Sequence, residues 1–455
     1  MEHEQTNHQN QNQNQQIPGI PAYIGNLLQL GIELRLKRRA STGEVYIGKN
    51  LYNCVKLLGT HPRYKDRIKF DNFAEKVYYT HPKPLGEDDA PQKTESYHDA
   101  ITNELRFELE DRFFVSFSKD DIESAVDIVA RRNPINPVLD YINKLPKWDR
   151  KKRIHKVLEK YFGCKSNEFM KQELLHAYSK KFVISIIARL HATMRKPVKV
   201  DTVLVLYGQQ GKHKSTALGV FALEHLFGKR YFMDTPFDIS HKDAYQVVEG
   251  KLIVELQELA KRSKDKETEK AFISTQVARF RRSHAKHVTE HVRKCIFVAT
   301  TNKNMILSDA TGSRRFWVVT VGDGEDKNWK IDVAGLRKDI DMLYAEALHY
   351  YKNDEPWWLT DEEEELREES AKDFADRHPM YNVIISKAKE LETDFGYVQI
   401  DKLIEKIYKE APDSKRHLDK NTRQNKNIIS DVLLQESYSY KRKSVNGKVV
   451  RGWFK

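Results

Sequence analysis

The stretch 204-LVLYGQQGKHKST-216 decides how this chain is read. It runs from apolar residues into a turn carrying Gly208 and Gly211, then into Lys214, Ser215 and Thr216. The uniformly apolar lead, 202-TVLVLY-207, suits a strand buried on both faces of a parallel sheet. The two glycines let the backbone turn so that its N–H groups point inward at phosphate oxygens. Lys214 would then reach the β- and γ-phosphates of ATP, and the Ser215 hydroxyl would ligate Mg²⁺. The following 215-STALGVFALEHLF-227 reads as a helix whose N-terminus faces the anion. The spacing fits a Walker A loop at every point but one, because His213 stands where that loop has glycine. The candidate nucleotide contacts are Gly208, Gln209, Gln210, Gly211, Lys212, His213, Lys214, Ser215 and Thr216, with Lys212 and His213 adding positive charge to the cradle. A glycine-rich turn with a surface lysine would look the same in isolation, so the rest of the chain has to decide.

Three downstream features do so. The strand-like 250-GKLIVELQEL-259 carries Glu255 near its end and Glu258 three residues on. In a nucleotide hydrolase an acid at this place holds the metal, and a second acid polarises the attacking water. A further apolar run, 294-KCIFVATTN-302, ends in Asn302, which is placed to position that water. Finally, 312-GSRRFW-317 sets Arg314 and Arg315 before an aromatic strand. One of them offered to a neighbouring subunit's γ-phosphate would stabilise charge in the transition state, although either alone could be an ordinary surface ion pair. Strand–loop–lysine, strand–acid, strand–asparagine and paired arginines, in that order, are far more specific than any single element. The candidate catalytic residues are Lys214, Glu255, Glu258, Asn302, Arg314 and Arg315, and the candidate metal ligands are Ser215 and Glu255.

Composition bounds the setting. The 455 residues leave room for two or three domains. Hydrophobic residues make up 39% and charged residues 32%, the balance of a soluble chain. No run approaches the roughly 20 apolar residues of a membrane span, and no basic-then-apolar leader opens the sequence. The three cysteines form no C-x-x-C pair, which argues against a zinc site or disulfide framework and fits a reducing cytoplasm. A net charge of +12 favours polyanionic partners.

Residues 1–18 are a Gln/Asn-rich tract that cannot build a core and reads as a disordered tail. Residues 19–145 read as a mainly helical unit: 26-NLLQLGIELRLK-37 has helical spacing, and a helix starts at Ser118 and is broken by Pro134 and Pro137. Residues 146–378 alternate strands and helices as a mainly parallel α/β domain does, with helical flanks, one of them a long apolar run stopped by Pro197. Residues 379–455 read as helices followed by a basic hairpin turning at Asn446-Gly447, the pattern of a winged helix. Its wing would carry Lys441, Arg442, Lys443, Lys448 and Arg451 toward phosphates, although such a module can also dock proteins.

From about residue 45 to 378 the chain resembles the virulence-associated protein E family, helicase-like ATPases of phages, plasmids and pathogenicity islands related to superfamily 3 and AAA+ helicases. The matching stretches include 148-WDRKKRIHKVLEKYFG-163, the loop above, 269-EKAFIS-274, 307-LSDATGSRRFWVV-319 and 343-LYAEALHYYKNDEPWWL-359. The resemblance implies an AAA+-like P-loop core and a homo-oligomeric, hexameric ring with ATP and Mg²⁺ between subunits. It implies Lys214 and Ser215 as Walker A, Glu255 and Glu258 as the acids, Asn302 as sensor, and Arg314 or Arg315 as the trans finger. The family's frequent N-terminal primase domain is absent before residue 45, so a separate primase is expected as partner.

In similar helicases the basic stretch 278-ARFRRSHAKHVTEHVRKC-295 is a β-hairpin that grips one DNA strand. Arg281 and Arg293 match family arginines that brace it, Lys286 and His287 lie near the tip, and Arg281, Arg282, Lys286 and His287 are the candidate contacts to single-stranded DNA. The leading expectation is an ATP-dependent DNA helicase and replication initiator of a mobile genetic element, acting on single- and double-stranded DNA. The rival is an origin-binding initiator whose ATPase switches assembly state without processive unwinding. The basic hairpin and tail disfavour a small-molecule kinase.

Overall fold

The computed structural model describes residues 20–82, 92–257, 266–282, 287–302, 313–322, 328–371, 381–410, 423–435, 438–445 and 448–454. The N-terminal unit contains helices α1 (Ala22–Gln29), α2 (Leu51–Thr60), α3 (Asp99–Phe113), α4 (Lys119–Arg132) and α5 (Pro137–Asn143). Its strands are β1 (Leu36–Arg38), β2 (Val45–Ile47), β3 (Ile68–Asp71), β4 (Lys76–Thr80), β5 (Thr94–Ser96) and β6 (Pro134–Ile135). The unit is therefore richer in helix than in strand, with two small sheets that the sequence did not announce. The helical spacing of residues 26–37 breaks at Gly31, whose left-handed φ of 76° ends α1, and Leu36–Arg38 pairs with Val45–Ile47 instead. The start of α4 is as expected: Ser118 Oγ accepts the Asp121 N–H at 3.0 Å. Strands β5-β4-β3-β6 form one sheet, and a core built from Leu57, Leu58, Leu105, Leu109 and Val126 closes the unit.

The middle of the chain is a three-layer α/β domain. A five-stranded parallel sheet has the order β13-β7-β12-β9-β8. Its members are β7 (Val203–Tyr207), β8 (Phe232–Met233), β9 (Ile253–Gln257), β12 (Ile296–Thr301) and β13 (Phe316–Thr320). Alternate residues enter opposite cores, Leu204, Leu206 and Val298 on one face and Val203, Val205 and Phe297 on the other, as the two-period of a strand requires. One face is covered by α6 (Val157–Lys160), α7 (Gln172–Leu190), α8 (Lys214–Phe221), α9 (Glu224–Phe227) and α12 (Val333–Lys352), which share the larger core. The other carries α10 (Ala244–Val247) and α11 (Lys266–Ser274). Helix α7 is buried along almost its whole length, and its second half, Phe182 to Leu190, is largely apolar all round. It stops at Leu190, seven residues before Pro197, so the proline is not what ends it. The basic 148–156 segment is anchored by Glu346, whose carboxylate accepts the N–H groups of Arg153 (2.6 Å) and Ile154 (3.2 Å). Acidic α13 (Asp361–Ala371) follows.

Between β9 and β12 a hairpin of β10 (Val277–Phe280) and β11 (Thr289–Val292) pairs Val277 with Val292 and Phe280 with Thr289. The C-terminal unit has α14 (Tyr381–Phe395), α15 (Ile400–Glu410) and α16 (Arg423–Gln435), then β14 (Ser439–Val445) and β15 (Lys448–Phe454). Val398 bridges to Trp453, adding a third, one-residue strand to that hairpin. Gly452 is required there, because a Cβ would meet the Tyr397 ring at 2.6 Å. The turn at Asn446-Gly447 lies outside the described residues, but the pairing of Val445 with Lys448 leaves just those two between the strands. All three cysteines are free and buried, and among the described residues no helix is long and apolar enough to cross a membrane.

Candidate functional site

Sheet order brings the candidate residues together. Strand β12 lies between β7 and β9, with Thr301 opposite Tyr207 and Thr300 opposite Gln257, so the three strands end at one level. The C-terminal edge of a parallel sheet, where chain connections diverge, is where α/β proteins bind ligands. Here the edge is tied by Gly208 N–H to Thr301 O at 3.0 Å and Val321 N–H to Tyr207 O at 2.7 Å. A cleft of about 460 Å³ opens above it, lined by Gln210 to Thr216 on one side and Glu255, Gln257, Thr300, Thr301 and Asn302 on the other.

The loop from Gly208 to His213 delivers the chain into α8, which begins at Lys214 and leaves its first N–H groups facing the cleft. Gly211 has φ 79°, and His213 has φ 64°. A left-handed backbone is the reason glycine is usual before the lysine, and histidine holds it at a cost of about 1–2 kcal/mol. The Lys214 ammonium donates to the carbonyls of Gly208 and Gln209, both at 2.7 Å. Burial pulls its pKa below the ordinary lysine value, and nearby Glu255 opposes that shift. These carbonyl contacts are ones that a phosphate oxygen would replace with a stronger charge-assisted bond.

Glu255 is buried in the middle of β9, two residues before its end. Its Oε1 accepts the hydroxyls of Ser215 (2.8 Å) and Thr300 (2.6 Å). Among the described residues its Oε2 is buried without a hydrogen-bond partner. Burial pushes the carboxyl pKa up, while the two hydroxyls and Lys214 counter it. A buried carboxylate with an unused oxygen, beside a serine hydroxyl, is a hard-oxygen donor set that suits Mg²⁺. Thr300, which sequence reasoning missed, holds this carboxylate in place. It belongs to the same Thr-Thr-Asn end of β12 that pointed to Asn302, so the signal was present but assigned to its neighbour. Gln257 was also missed, and it donates to Asp234 O at 2.6 Å across the cleft floor.

The other candidates divide. Asn302 sits exposed on the rim. The Lys212 ammonium donates to Trp329 O at 2.8 Å, and Lys212 O accepts from Ile331 N–H at 3.3 Å, stapling the loop to the segment that enters α12. Arg315 is half-buried with its Nε on Ser274 Oγ at 3.3 Å, whereas Arg314 is exposed. Glu258 and Lys286 lie outside the described residues.

The basic hairpin also divides. Arg293 is buried under a ring cage, 4.5 Å from Phe272 and 5.1 Å from Phe297, and donates to Phe272 O at 2.5 Å. It lies at the hairpin base, one of the two arginines for which the family resemblance implied a bracing role. Arg281 and His287 are exposed. Arg282, expected to touch DNA, is instead held by Glu249 (2.6 Å) and Glu75 (3.1 Å). In the C-terminal unit Lys441, Arg442, Lys443 and Arg451 are all exposed, and Lys448 opens β15. Arg442 pairs directly with Arg451 across the hairpin, a like-charge juxtaposition that a bound anion would relieve.

The sequence profile of the virulence-associated protein E-like domain matches residues 142–376, which contain the whole cleft and the β10–β11 hairpin. No curated protein matches the chain. Among solved structures, an A-form apo structure of the NrS-1 C-terminal region is 15% identical, covering 90% of this chain and 100% of that one at a TM-score of 0.38. A further apo structure of the same region is 14% identical and covers 85% and 95% at a TM-score of 0.35. A likeness at that level carries no weight for function.

Proposed function

We propose that this chain, which belongs to the virulence-associated protein E-like family, is an ATP-driven DNA helicase and replication initiator of a mobile genetic element. The observation that carries the reading is the convergence of Lys214, Ser215, Glu255 and Asn302 on one cleft at the C-terminal ends of adjacent parallel strands. Such a cleft, with a helix N-terminus and a lysine at one wall and a buried acid opposite, suits a nucleoside triphosphate. Mg²⁺ held by Ser215 and Glu255 would neutralise charge on the β- and γ-phosphates. Lys214 would exchange its loop carbonyls for phosphate oxygens, and Asn302 would orient the attacking water. Glu258, three residues beyond Glu255, is proposed as the base that polarises it.

The P-loop, AAA+-like reading of the middle domain is supported by the site's place in the sheet. A ring, hexameric in the reading, is supported by the exposure of Arg314, which leaves a guanidinium to offer to another copy's γ-phosphate. The winged-helix reading of the C-terminal unit is supported by its helices, its hairpin and the Val398 bridge. Its wing, with Arg442 and Arg451 side by side, would take duplex phosphates, and the β10–β11 hairpin would take a single strand. A separate primase would supply primers. The second reading, an initiator whose ATPase only switches assembly, is favoured by one feature, the strained His213 in the loop.

Arg314→Ala tests the shared site. Alone it should lower kcat for ATP at least about 10²-fold, the usual loss for a transition-state charge partner. Mixed with Lys214→Ala protein it should regain measurable hydrolysis, because a mixed interface can combine an intact loop with an intact arginine. Arg315→Ala, whose partner is Ser274 of its own chain, should show no such rescue. Mixtures that never complement would remove the shared site from the account.

A further inference from the structure

We propose that the β3–β4 turn of the N-terminal unit is a positioning element for the basic β10–β11 hairpin, and that the Glu75–Arg282 ion pair is its working contact. The inference rests on the reading that this hairpin holds single-stranded DNA. The turn is built to be stiff: Asp71 Oδ1 accepts the N–H groups of Phe73 and Ala74, both at 2.9 Å, and its Oδ2 accepts the Tyr231 hydroxyl at 2.6 Å. Glu75 then takes a left-handed φ of 55°, a conformation a non-glycine residue adopts only when its surroundings impose it.

The turn docks where three strands of the central sheet begin. Phe73 lies edge-on to Tyr231, just before β8, at 5.3 Å between ring centroids. The Ala74 backbone lies so close to Gly250, before β9, that no Cβ would fit there. The Lys294 ammonium, just before β12, donates to Asn72 O. From this seat Glu75 reaches the hairpin. Arg282, two residues past β10, folds back with Nε and one terminal nitrogen on Glu249 (3.1 and 2.6 Å), and that same nitrogen is on Glu75 (3.1 Å). His291 of β11 closes the cluster, 2.8 Å from Glu249. Glu75, Glu249 and His291 lie within metal-ligand spacing of one another, but Arg282 and Lys294 already supply the cations.

Arg282 therefore spends its guanidinium on two carboxylates and not on a nucleic-acid phosphate. Its neighbours Arg281 and His287 remain exposed on the same loop. The N-terminal unit, distant from the hairpin in sequence, thus fixes the direction in which those exposed groups point. Half-exposed ion pairs contribute little to stability, so the bracket's role is geometric.

The test uses the full chain, a fluorescently labelled oligothymidylate for binding by anisotropy, and ATP hydrolysis measured without DNA. Glu75→Gln removes one charge at constant size and touches no group of the nucleotide cleft. Basal kcat and KM for ATP should stay within about twofold of the parent, while the Kd for oligothymidylate should rise about fivefold. Arg282→Gln should weaken binding likewise, and the double variant should be no weaker than Arg282→Gln alone, because the two residues act through one contact. Additive losses would overturn the bracket. An unchanged Kd for Glu75→Gln, while Arg281→Ala/His287→Ala weakens binding, would also overturn it and leave the hairpin reading standing. If Arg281→Ala/His287→Ala does not weaken binding either, the hairpin reading fails and the inference with it.

Discussion

Replacing Lys214 with alanine should abolish ATP hydrolysis, with a loss of at least about 10³-fold in kcat/KM. A lysine at a transferring phosphoryl group supplies charge that no neighbour can replace, and single preorganised charge partners of this kind are each worth about 10²–10³-fold. Among the described residues Lys212, the lysine beside it in the loop, is turned to Trp329 O. The fold should survive, because among the described residues the Lys214 ammonium hydrogen-bonds the carbonyls of Gly208 and Gln209 alone, which solvent can satisfy. Steady-state hydrolysis together with a thermal melt checks both halves. Activity close to that of the parent would mean that the nucleotide is held elsewhere.

Glu255→Gln has the second large effect, and it acts in two directions. Hydrolysis should fall about 10²-fold or more, since the neutral amide is a poorer ligand for Mg²⁺ while the shape of the site is kept. The apo protein should at the same time become more stable. In the parent, burial raises the Glu255 pKa above its ordinary 4.5. An acid whose pKa is raised on folding binds more protons folded than unfolded, so its contribution to stability falls as pH rises from about 4.5 through the raised value. The glutamine variant has no such term. Its stability advantage should be smallest at acid pH and reach a plateau above the folded pKa. Denaturant unfolding of both proteins between acid and neutral pH reads this directly. A pH-independent difference would show that the Glu255 carboxyl is not carrying a burial cost.

How much of this was legible depends on whether an element declares itself locally. The strands of the central sheet did, because 203–207, 296–301 and 316–320 are apolar on both faces, as a covered parallel sheet requires. The Ser118 cap and the C-terminal hairpin did as well, since each is set by a few adjacent residues, whereas the β10–β11 hairpin was expected from the family resemblance. The N-terminal strands did not: at two to five residues they are too short for a two-residue period to stand out from the helices beside them. Within the site, the loop and the asparagine were readable as ends of strands, and the acid as part of one. What each side chain pairs with was not. Thr300 reaches Glu255 across 45 residues, Lys212 reaches Trp329 across 117, and Arg282 reaches Glu75 across 207. Only tertiary structure makes those distances short. Arg282 shows the consequence: its charge pointed to DNA in the sequence, whereas its partners are two glutamates of its own chain.

The most direct test of the central claim is strand displacement by the purified chain on a forked duplex with a single-stranded loading tail. The account predicts displacement that requires both ATP and Mg²⁺, weakens as salt rises because the hairpin and wing contacts are electrostatic, and is absent in Lys214→Ala. Origin or duplex binding together with ATP hydrolysis, but no displacement under any of these conditions, would contradict it and leave the assembly switch as the better description.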